Sequence, residues 1–301
     1  MSDRLLFIGL AHLIRGATCA LLLAACAMPA QTKANAHSAY VFVVEDDDSL
    51  KQTGNASDRA MYAQAAGRLR AGGIKSIAFK YFFFATQDAA VDATLAQQMY
   101  ATPTLLQYEL KGEYEKTEAP SVVDDTMLEK MRAAADRVDT SHLLAGEHTH
   151  LPIQLFARAA TRLGFVDVVA PFAADLIPLL GHYGHYPVKS IMLELIEEQY
   201  GAATATANGV RVGAVNLKTD AKGRYRCDGN DAPAPNAITL RELLTSIQRR
   251  DLRGKTAIFI YEGDHSPTIA TGFAKYEKIH TLFARQLACI EDALQRDRQA
   301  Q

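Results

Sequence analysis

The sequence predicts an α/β fold of three layers, with a mostly parallel central sheet flanked by helices. Short β-branched and aromatic runs alternate along the chain with longer segments of helical periodicity. The first three runs are Tyr40–Val44, Ile74–Phe84 and Thr104–Leu110. Each is separated from the next by one predicted helix, and this order requires right-handed crossovers between parallel strands.

Capping signals mark the first predicted helices. Ser57-Asp58 precedes an apolar stripe that runs to Leu69, and Gly72-Gly73 ends that helix. The second helix is predicted over Asp88–Tyr100. These two helices supply the crossovers of a parallel sheet.

The rest of the chain is less regular, and residues 111–150 are polar and poorly periodic. The predicted helices are 127–138, 155–163 ending at Gly164, 188–200, 240–249, and a closing helix with an apolar stripe from Ile279 to Leu294. The predicted strands are 176–180, 210–217 and 256–261, and 223–235 is predicted to be a turn-rich loop.

The N-terminus has the pattern of an export signal. Arg4 and Arg15 make the start positively charged, and the apolar run 17–25 is too short to span a bilayer. Leu23-Ala24-Ala25-Cys26 resembles a bacterial lipobox, which implies that Cys26 becomes the lipidated first residue. We therefore expect a periplasmic or cell-envelope protein that is anchored to the membrane by lipid.

Two alternatives to the lipoprotein remain open. Ala34-Asn35-Ala36 also suits a secretory peptidase, and an uncleaved N-terminal anchor is a further alternative. All three place the bulk of the chain outside the cytoplasm. The expected organisation is a signal peptide over 1–25, a tether over 26–38 and one domain over 39–295.

The charge balance excludes one class of partner. The whole chain has a net charge of −2. Removal of residues 1–25 takes away Arg4, Arg15 and Asp3, so the mature chain has −3. Nucleic-acid binding needs a basic surface, and none is expected here. After residue 26 no apolar stretch reaches the length of a membrane span.

Two cysteines, Cys227 and Cys289, lie in the predicted domain. They could pair in an oxidising compartment. Cys289 falls within the apolar stripe of the closing helix, where a buried thiol is the simpler expectation. Sequence alone does not show whether their Cα atoms are close enough for a bond, so both alternatives stay open.

Acidic residues follow the first strand and supply the main candidate for ligand binding. Asp46, Asp47 and Asp48 come directly after it, and strand ends are where open α/β sheets bind ligands. The cluster could bind a cation or a polar ligand, or hold Arg59 by a charge-assisted bond. The alternative is a solvated turn in which one Asp caps the next segment. Asp264, after the last strand, completes the candidate set with Asp46, Asp47 and Arg59.

Catalytic and metal motifs are weak. His148-Thr149-His150 and His182-Tyr183-Gly184-His185 each bring two imidazoles together, but no further ligand stands at a recognisable zinc spacing. Asp264-His265-Ser266 contains the residue types of a catalytic triad, but only as neighbours. Gly-x-Ser-x-Gly and the glycine-rich phosphate and dinucleotide patterns do not occur. We expect the protein to bind no cofactor and no metal and to have no enzymatic activity. A periplasmic hydrolase is the alternative.

Several short motifs occur in an order that resembles a known family. The first strand runs into an acidic-Ser turn, Val43 to Leu50, followed by Arg59-Ala60-Met61-Tyr62-Ala63 and by Leu69 to Ile74. Later come Leu151 to Phe165 and Asp251 to Phe259, and then Ile279-His280 with Leu282-Phe283-Ala284. Over about residues 40–290 the chain resembles the CHASE2 family of extracytoplasmic sensory modules.

The resemblance implies a sensor, and the departures from it fall at strand ends. The family usually has an acidic residue where this chain has Lys80, and a Gly-Ala-Thr loop where it has Tyr261 to Asp264. The usual Trp-Pro is also missing. We expect a small-molecule ligand, or a membrane signalling partner that supplies the output because the chain stops after the module. An interaction lipoprotein that has lost the ligand site is the alternative.

Overall fold

Seven helices and sixteen strands lie in the part of the chain that the structure, a computed structural model, describes: residues 39–45, 58–111, 121–135, 139, 142–146, 148–166, 175–227, 236–246, 252–262 and 279–300. The helices are α1 (Arg59–Ala71), α2 (Ala89–Ala101), α3 (Asp125–Met131), α4 (Gln154–Ala159), α5 (Ile191–Tyr200), α6 (Leu240–Ser246) and α7 (Ile279–Ala300). The strands are β1 (Tyr40–Glu45), β2 (Ser76–Lys80), β3 (Thr104–Lys111), β4 (Ala134–Ala135), β5 (Leu144–Gly146), β6 (His148–His150), β7 (Arg162–Val166), β8 (Leu176–Pro178), β9 (Leu180–Tyr183), β10 (Tyr186–Lys189), β11 (Ala203–Thr206), β12 (Gly209–Val212), β13 (Val215–Lys218), β14 (Arg224–Arg226), β15 (Ala237–Thr239) and β16 (Thr256–Tyr261).

Seven of these strands form the central sheet, and β16 lies in its middle. The order β15-β1-β16-β2-β3 is parallel throughout, and β7 pairs in parallel with β3. Only β6 is antiparallel, where it pairs with the end of β3. The predicted, mostly parallel sheet is therefore confirmed. The sequence did not indicate that β16 would separate β1 from β2.

The two faces of the sheet pack against different helices. Val41 and Val43 of β1 belong to a core that they share with α1, α2, α4 and α6. Tyr40, Phe42 and Val44 point the other way, into a core with α5, α7 and the strands β11 to β13. Alternation along a strand thus serves two cores, and the three predicted layers are confirmed.

The remaining strands form three small sheets. These are β5-β9-β10, β4-β11-β12-β13 and the pair β8-β14. The strands of the second sheet run as an antiparallel meander from β11 to β13. Its apolar side chains cover the α5 and α7 side of the domain.

The predictions for the first half of the chain agree well with the structure. Asp58 caps α1 by accepting a hydrogen bond from the Ala60 N–H at 2.9 Å, and Gly72 ends the helix. Asp88 caps α2 in the same way. The strand predicted over 256–261 is present with the same bounds.

The prediction of a helix over 155–163 is wrong in its second half. The helix ends at Ala159, and Gly164 lies within β7 rather than at a helix end. A Cβ at Gly164 would lie 2.5 Å from Cα of Ile191. Glycine therefore lets the start of α5 pack directly on this strand, a contact that a periodicity argument does not reveal.

Other predicted bounds also change. The strand predicted over 210–217 is a hairpin, β12 and β13, that turns at Gly213 with φ of 59°. The helix predicted over 127–138 ends at Met131, and the helix predicted from 188 starts at Ile191, after the capping residue Ser190. The strand predicted over 74–84 covers only Ser76–Lys80. The loop predicted over 223–235 contains β14.

Cys227 and Cys289 form a disulfide, with their Cα atoms 6.1 Å apart. The simpler expectation of a buried thiol at Cys289 is wrong, because the fold brings β14 beside the middle of α7. The bond closes a loop between positions 62 residues apart. A loop of that length corresponds to roughly 4 kcal/mol of stabilisation in the chain-entropy model.

A buried acid, Glu291, lies on the inner face of α7. Its side chain is 1% exposed and is hydrogen-bonded to Tyr200 at the end of α5. Burial raises the pKa of Glu291 from 4.5 to about 8, and the nearby Asp292 adds to the effect. The carboxyl group is therefore protonated at neutral pH in the folded protein.

Glu291→Gln should flatten the dependence of stability on pH. The unfolded chain releases the Glu291 proton near its usual pKa of 4.5, whereas the folded protein keeps it up to about pH 8. The free energy of unfolding should therefore fall as the pH rises through this window, by on the order of a few kcal/mol. Urea unfolding at about pH 5 and pH 8 should show a smaller fall in E291Q, whose neutral amide does not titrate.

Asp297→Asn, on the exposed side of the same helix, is the matched control and should keep the wild-type pH dependence. An equal fall in the wild type and in E291Q would show that Glu291 does not keep its proton in the folded protein.

Candidate functional site

Three neighbouring central strands end in polar side chains at the same edge of the sheet. β1 ends at Glu45, β2 ends at Lys80, and Glu262 follows β16 directly. Their register aligns Glu45 with Tyr261 and Lys80 with Ile260. Open parallel sheets bind ligands beyond the carboxyl ends of their strands. We call this region, defined by Glu45, Lys80 and Glu262, the carboxyl edge.

Glu45 lies on the α1 side of the carboxyl edge. Its side chain is 1% exposed and accepts hydrogen bonds from the hydroxyls of Tyr62 at 2.6 Å and Tyr81 at 2.9 Å. Burial raises the pKa of both tyrosines well above the usual value, and Glu45 adds to the effect. Two neutral phenols therefore hold a carboxylate inside the fold.

Lys80 lies on the α7 side of the same edge. The side chain is half-buried, and Nζ lies 5.7 Å from the ring centroid of Phe283 on α7. Burial lowers the pKa of Lys80 from 10.5 to about 8. The ring face offers its ammonium a weak cation–π contact.

Glu262 joins the carboxyl edge to the start of α7. Its backbone N–H donates to the carbonyl of Glu45 at 2.9 Å. Its carboxylate accepts from the backbone N–H of His280 at 2.5 Å and also contacts Nδ1 of the same residue. A carboxylate at a helix N-terminus is stabilised by the helix dipole, so Glu262 positions the first turn of α7 against the sheet.

Arg59 lies inside the helical layer on the α1 side. It is 3% exposed, its Nη1 lies 2.5 Å from Oδ1 of Asp92 on α2, and its Nη2 donates to the carbonyl of Ala85. The guanidinium also stacks near Phe83 and Phe156, 5.5 and 5.0 Å from their ring centroids. Arg59 thus connects α1 to α2 and to the segment after β2.

The other candidate residues from the sequence fall outside the described residues. Asp46 and Asp47 follow Glu45 along the chain, Asp264 lies two positions after Glu262, and Cys26 belongs to the predicted signal. Their roles in ligand binding and lipidation stay predictions. What the structure does bring together is the ends of β1 and β16, the strands that precede Asp46, Asp47 and Asp264.

The predicted histidine pairs have other neighbours. His150 stacks on Phe84 at 3.5 Å between ring centroids and lies 3.5 Å from a carboxylate oxygen of Glu109. Nδ1 of His182 lies 3.1 Å from the carbonyl of Gly184, and His185 is exposed. Among the described residues, no three His, Cys, Asp or Glu side chains are grouped so that they could hold a metal ion.

Two clefts elsewhere in the described residues are poorer in charged side chains that are free to bind a ligand than the carboxyl edge is. A groove of about 460 Å³ between α1 and α2 is lined mainly by small residues and carries no charged side chain. A second cleft of about 490 Å³ includes Lys218 and Asp220. Arg224 binds the Asp220 carboxylate at 2.8 and 2.9 Å, so this acid is already neutralised.

In the sequence, Lys80 and Glu262 are departures from the family pattern, and His280 belongs to the motif of the closing helix. Their convergence was not predicted, because it depends on β16 pairing with both β1 and β2. The bonds from Tyr62 and Tyr81 to Glu45 were missed as well. A polar residue at the end of each apolar run was the available signal.

This three-layer α/β domain carries polar groups at the carboxyl ends of its central strands, the edge where open α/β sheets of other proteins bind ligands. The chain belongs to the CHASE2 family, because the family model named CHASE2 domain matches residues 14–271. CHASE2 domains are extracytoplasmic sensory domains. The matched residues begin within the predicted signal peptide and end before α7.

The other comparisons add no relative. Neither the search of curated proteins nor that of solved structures found a match. Within the described residues, no helix combines the length and the apolarity that crossing a bilayer requires.

Arg59→Met should destabilise the domain strongly. The substitution leaves the Asp92 carboxylate buried without its cation, and breaking a buried pair in this way costs about 3–5 kcal/mol. Urea unfolding of R59M should show this loss. Arg70→Met, at an exposed position of the same helix, should change stability by less than about 0.5 kcal/mol.

The pair can be tested further with Arg59→Met combined with Asp92→Leu. This double variant should recover part of the stability, because no uncompensated charge then remains. If R59M instead unfolds like the wild type, the ion pair with Asp92 does not stabilise the domain.

Proposed function

We propose that this CHASE2 domain is a sensor that binds a small polar molecule at its carboxyl edge. The observation that carries the proposal is the convergence of Glu45, Lys80 and Glu262 from three adjacent strands. Burying polar groups is costly unless they have partners. A fold that concentrates such groups at one strand edge has the features of a binding site rather than of a packing surface.

The contacts of α7 suggest how binding would be transmitted. Lys80 contacts Phe283, and Glu262 contacts His280, both within the first two turns of α7. A ligand that reorients Lys80 or Glu262 would change the packing of this helix. It would shift an equilibrium between two arrangements only as far as its affinities for them differ. A membrane partner that receives this change completes the proposed function.

A ligand at the carboxyl edge should raise the melting temperature of the domain. At a concentration of about 100 times Kd, binding adds about 2.7 kcal/mol, or roughly 5–10 °C for a domain of this size. Thermal-shift measurements against panels of small molecules and metal ions should find one active compound class. The matched control is Asp220→Asn, far along the chain in the second cleft, which should leave the shift unchanged.

A melting temperature that no small molecule and no metal ion changes would count against ligand binding. It would favour the second candidate function, an interaction lipoprotein that has kept the fold without the site. One observation supports that candidate: the carboxylates of Glu45 and Glu262 already bind Tyr62, Tyr81 and His280. Groups that are satisfied internally serve stability as well as recognition.

The proposal includes a lipid anchor at Cys26. It is supported by the lipobox-like Leu23-Ala24-Ala25-Cys26 and by the extracytoplasmic location of the family. The disulfide between Cys227 and Cys289 agrees with that location, because such bonds persist in oxidising compartments.

Cys26→Ser should abolish lipid attachment. Metabolic labelling with a fatty acid should be lost, and the mature protein should move from the membrane fraction to the soluble fraction. Cys19→Ser, within the same predicted signal, is the matched control and should keep both labelling and membrane association. If C26S stays membrane-bound with unchanged processing, the lipobox interpretation is wrong.

A further inference from the structure

Lys80 is a charged group at the end of a central strand that is covered on both faces. It pairs in register with Ile260, and its side chain lies on the face of Ala78 and Ile260, which belong to the core shared with α7. The buried ring of Phe283 is its cation–π neighbour. The ammonium is therefore held between the sheet and α7 rather than in bulk solvent.

Two other half-buried lysines in the described residues, Lys189 and Lys130, have strong acceptors, and Lys80 differs from them. Lys189 Nζ lies 2.6 Å from Glu194 and 2.8 Å from Glu197. Lys130 donates to three backbone carbonyls between residues 157 and 160. In the described part of the chain, no carboxylate or carbonyl takes this role for Lys80. Burial lowers its pKa, and no charge among the described residues offsets that effect.

The two carboxylates of the carboxyl edge are committed to other groups. Glu45 faces the opposite side of the sheet, where Tyr62 and Tyr81 bind it. Glu262 is held by the N–H of His280. The α7 side of the edge consequently presents one positive charge that these acids do not neutralise.

We propose that the carboxyl edge binds a small organic carboxylate and that Lys80 supplies the counter-charge. This inference rests on the proposed sensory function and names the ligand class. A single ammonium suits a singly charged carboxylate, whereas phosphate sites usually combine several donors in a fork or a backbone nest. The aromatic ring beside Lys80 favours a ligand whose remainder is apolar.

The test measures binding of acetate, propionate and benzoate to the full-length protein by calorimetry and thermal shift. The corresponding neutral amides and inorganic phosphate serve as comparison probes. At least one carboxylate should bind, its amide should not, and phosphate should bind more weakly. Lys80→Met should weaken the carboxylate at least about tenfold, because a hydrogen bond to a charged group is lost.

Two further variants make the result specific. Lys80→Arg keeps the charge and should retain binding to within about tenfold. Lys75→Met removes an exposed lysine just before the other end of the same strand, and it should bind like the wild type. Should K80M fail to fold, Lys80→Gln is the replacement, and folding of each variant is checked by circular dichroism before titration.

The possible outcomes separate this inference from the proposed function. Carboxylate binding that is unchanged in the Lys80 variants, or binding of only neutral or cationic compounds, overturns the inference and leaves the sensor intact. Binding of phosphate in preference to every carboxylate overturns the assigned ligand class. If no compound of any charge binds, both proposals fall.

Discussion

The pairing of β16 with both β1 and β2 is the interaction on which the candidate site depends. This strand enters the middle of the sheet from the far end of the sequence and hydrogen-bonds along both of its edges. It brings the ends of the three strands side by side. Because helices cover both faces of the sheet, polar side chains on these strands reach solvent or a ligand only at the strand ends.

The two ends of the central strands differ in how their polar groups are satisfied. At the amino ends, Ser76 and Thr256 hydrogen-bond to each other at 2.9 Å, and Gln199 of α5 donates to Thr256 at 3.3 Å. These neutral groups satisfy one another. Arg162, the charged residue at the start of β7, pairs with Glu194 and Glu198. At the carboxyl end of β2, by contrast, Lys80 contacts a ring instead of an acceptor. A contribution to stability therefore accounts for the polar groups at the amino ends better than it accounts for Lys80 at the carboxyl end of β2.

The helix α7 connects the candidate site to the rest of the domain. His280 and Phe283 near its start contact the carboxyl edge, while Cys289 in its middle is bonded to Cys227. Glu291, two residues further along the helix, is also buried, and it keeps its proton at neutral pH. The disulfide limits movement in the middle of the helix, so a change at the edge would act mainly on its first turns.

The class of fold, the capped helices α1 and α2, the strand 256–261 and the family could all be predicted from the sequence, because these depend on local periodicity, capping residues and motif order. It also pointed to the strand ends as the place for a site. Four further features became visible only in the folded chain: β16 lies between β1 and β2, Gly164 lies in a strand, Cys227 is bonded to Cys289, and Arg59 pairs with Asp92. Each of these depends on contacts between distant parts of the chain, and local pattern carries no information about which distant partner a residue meets.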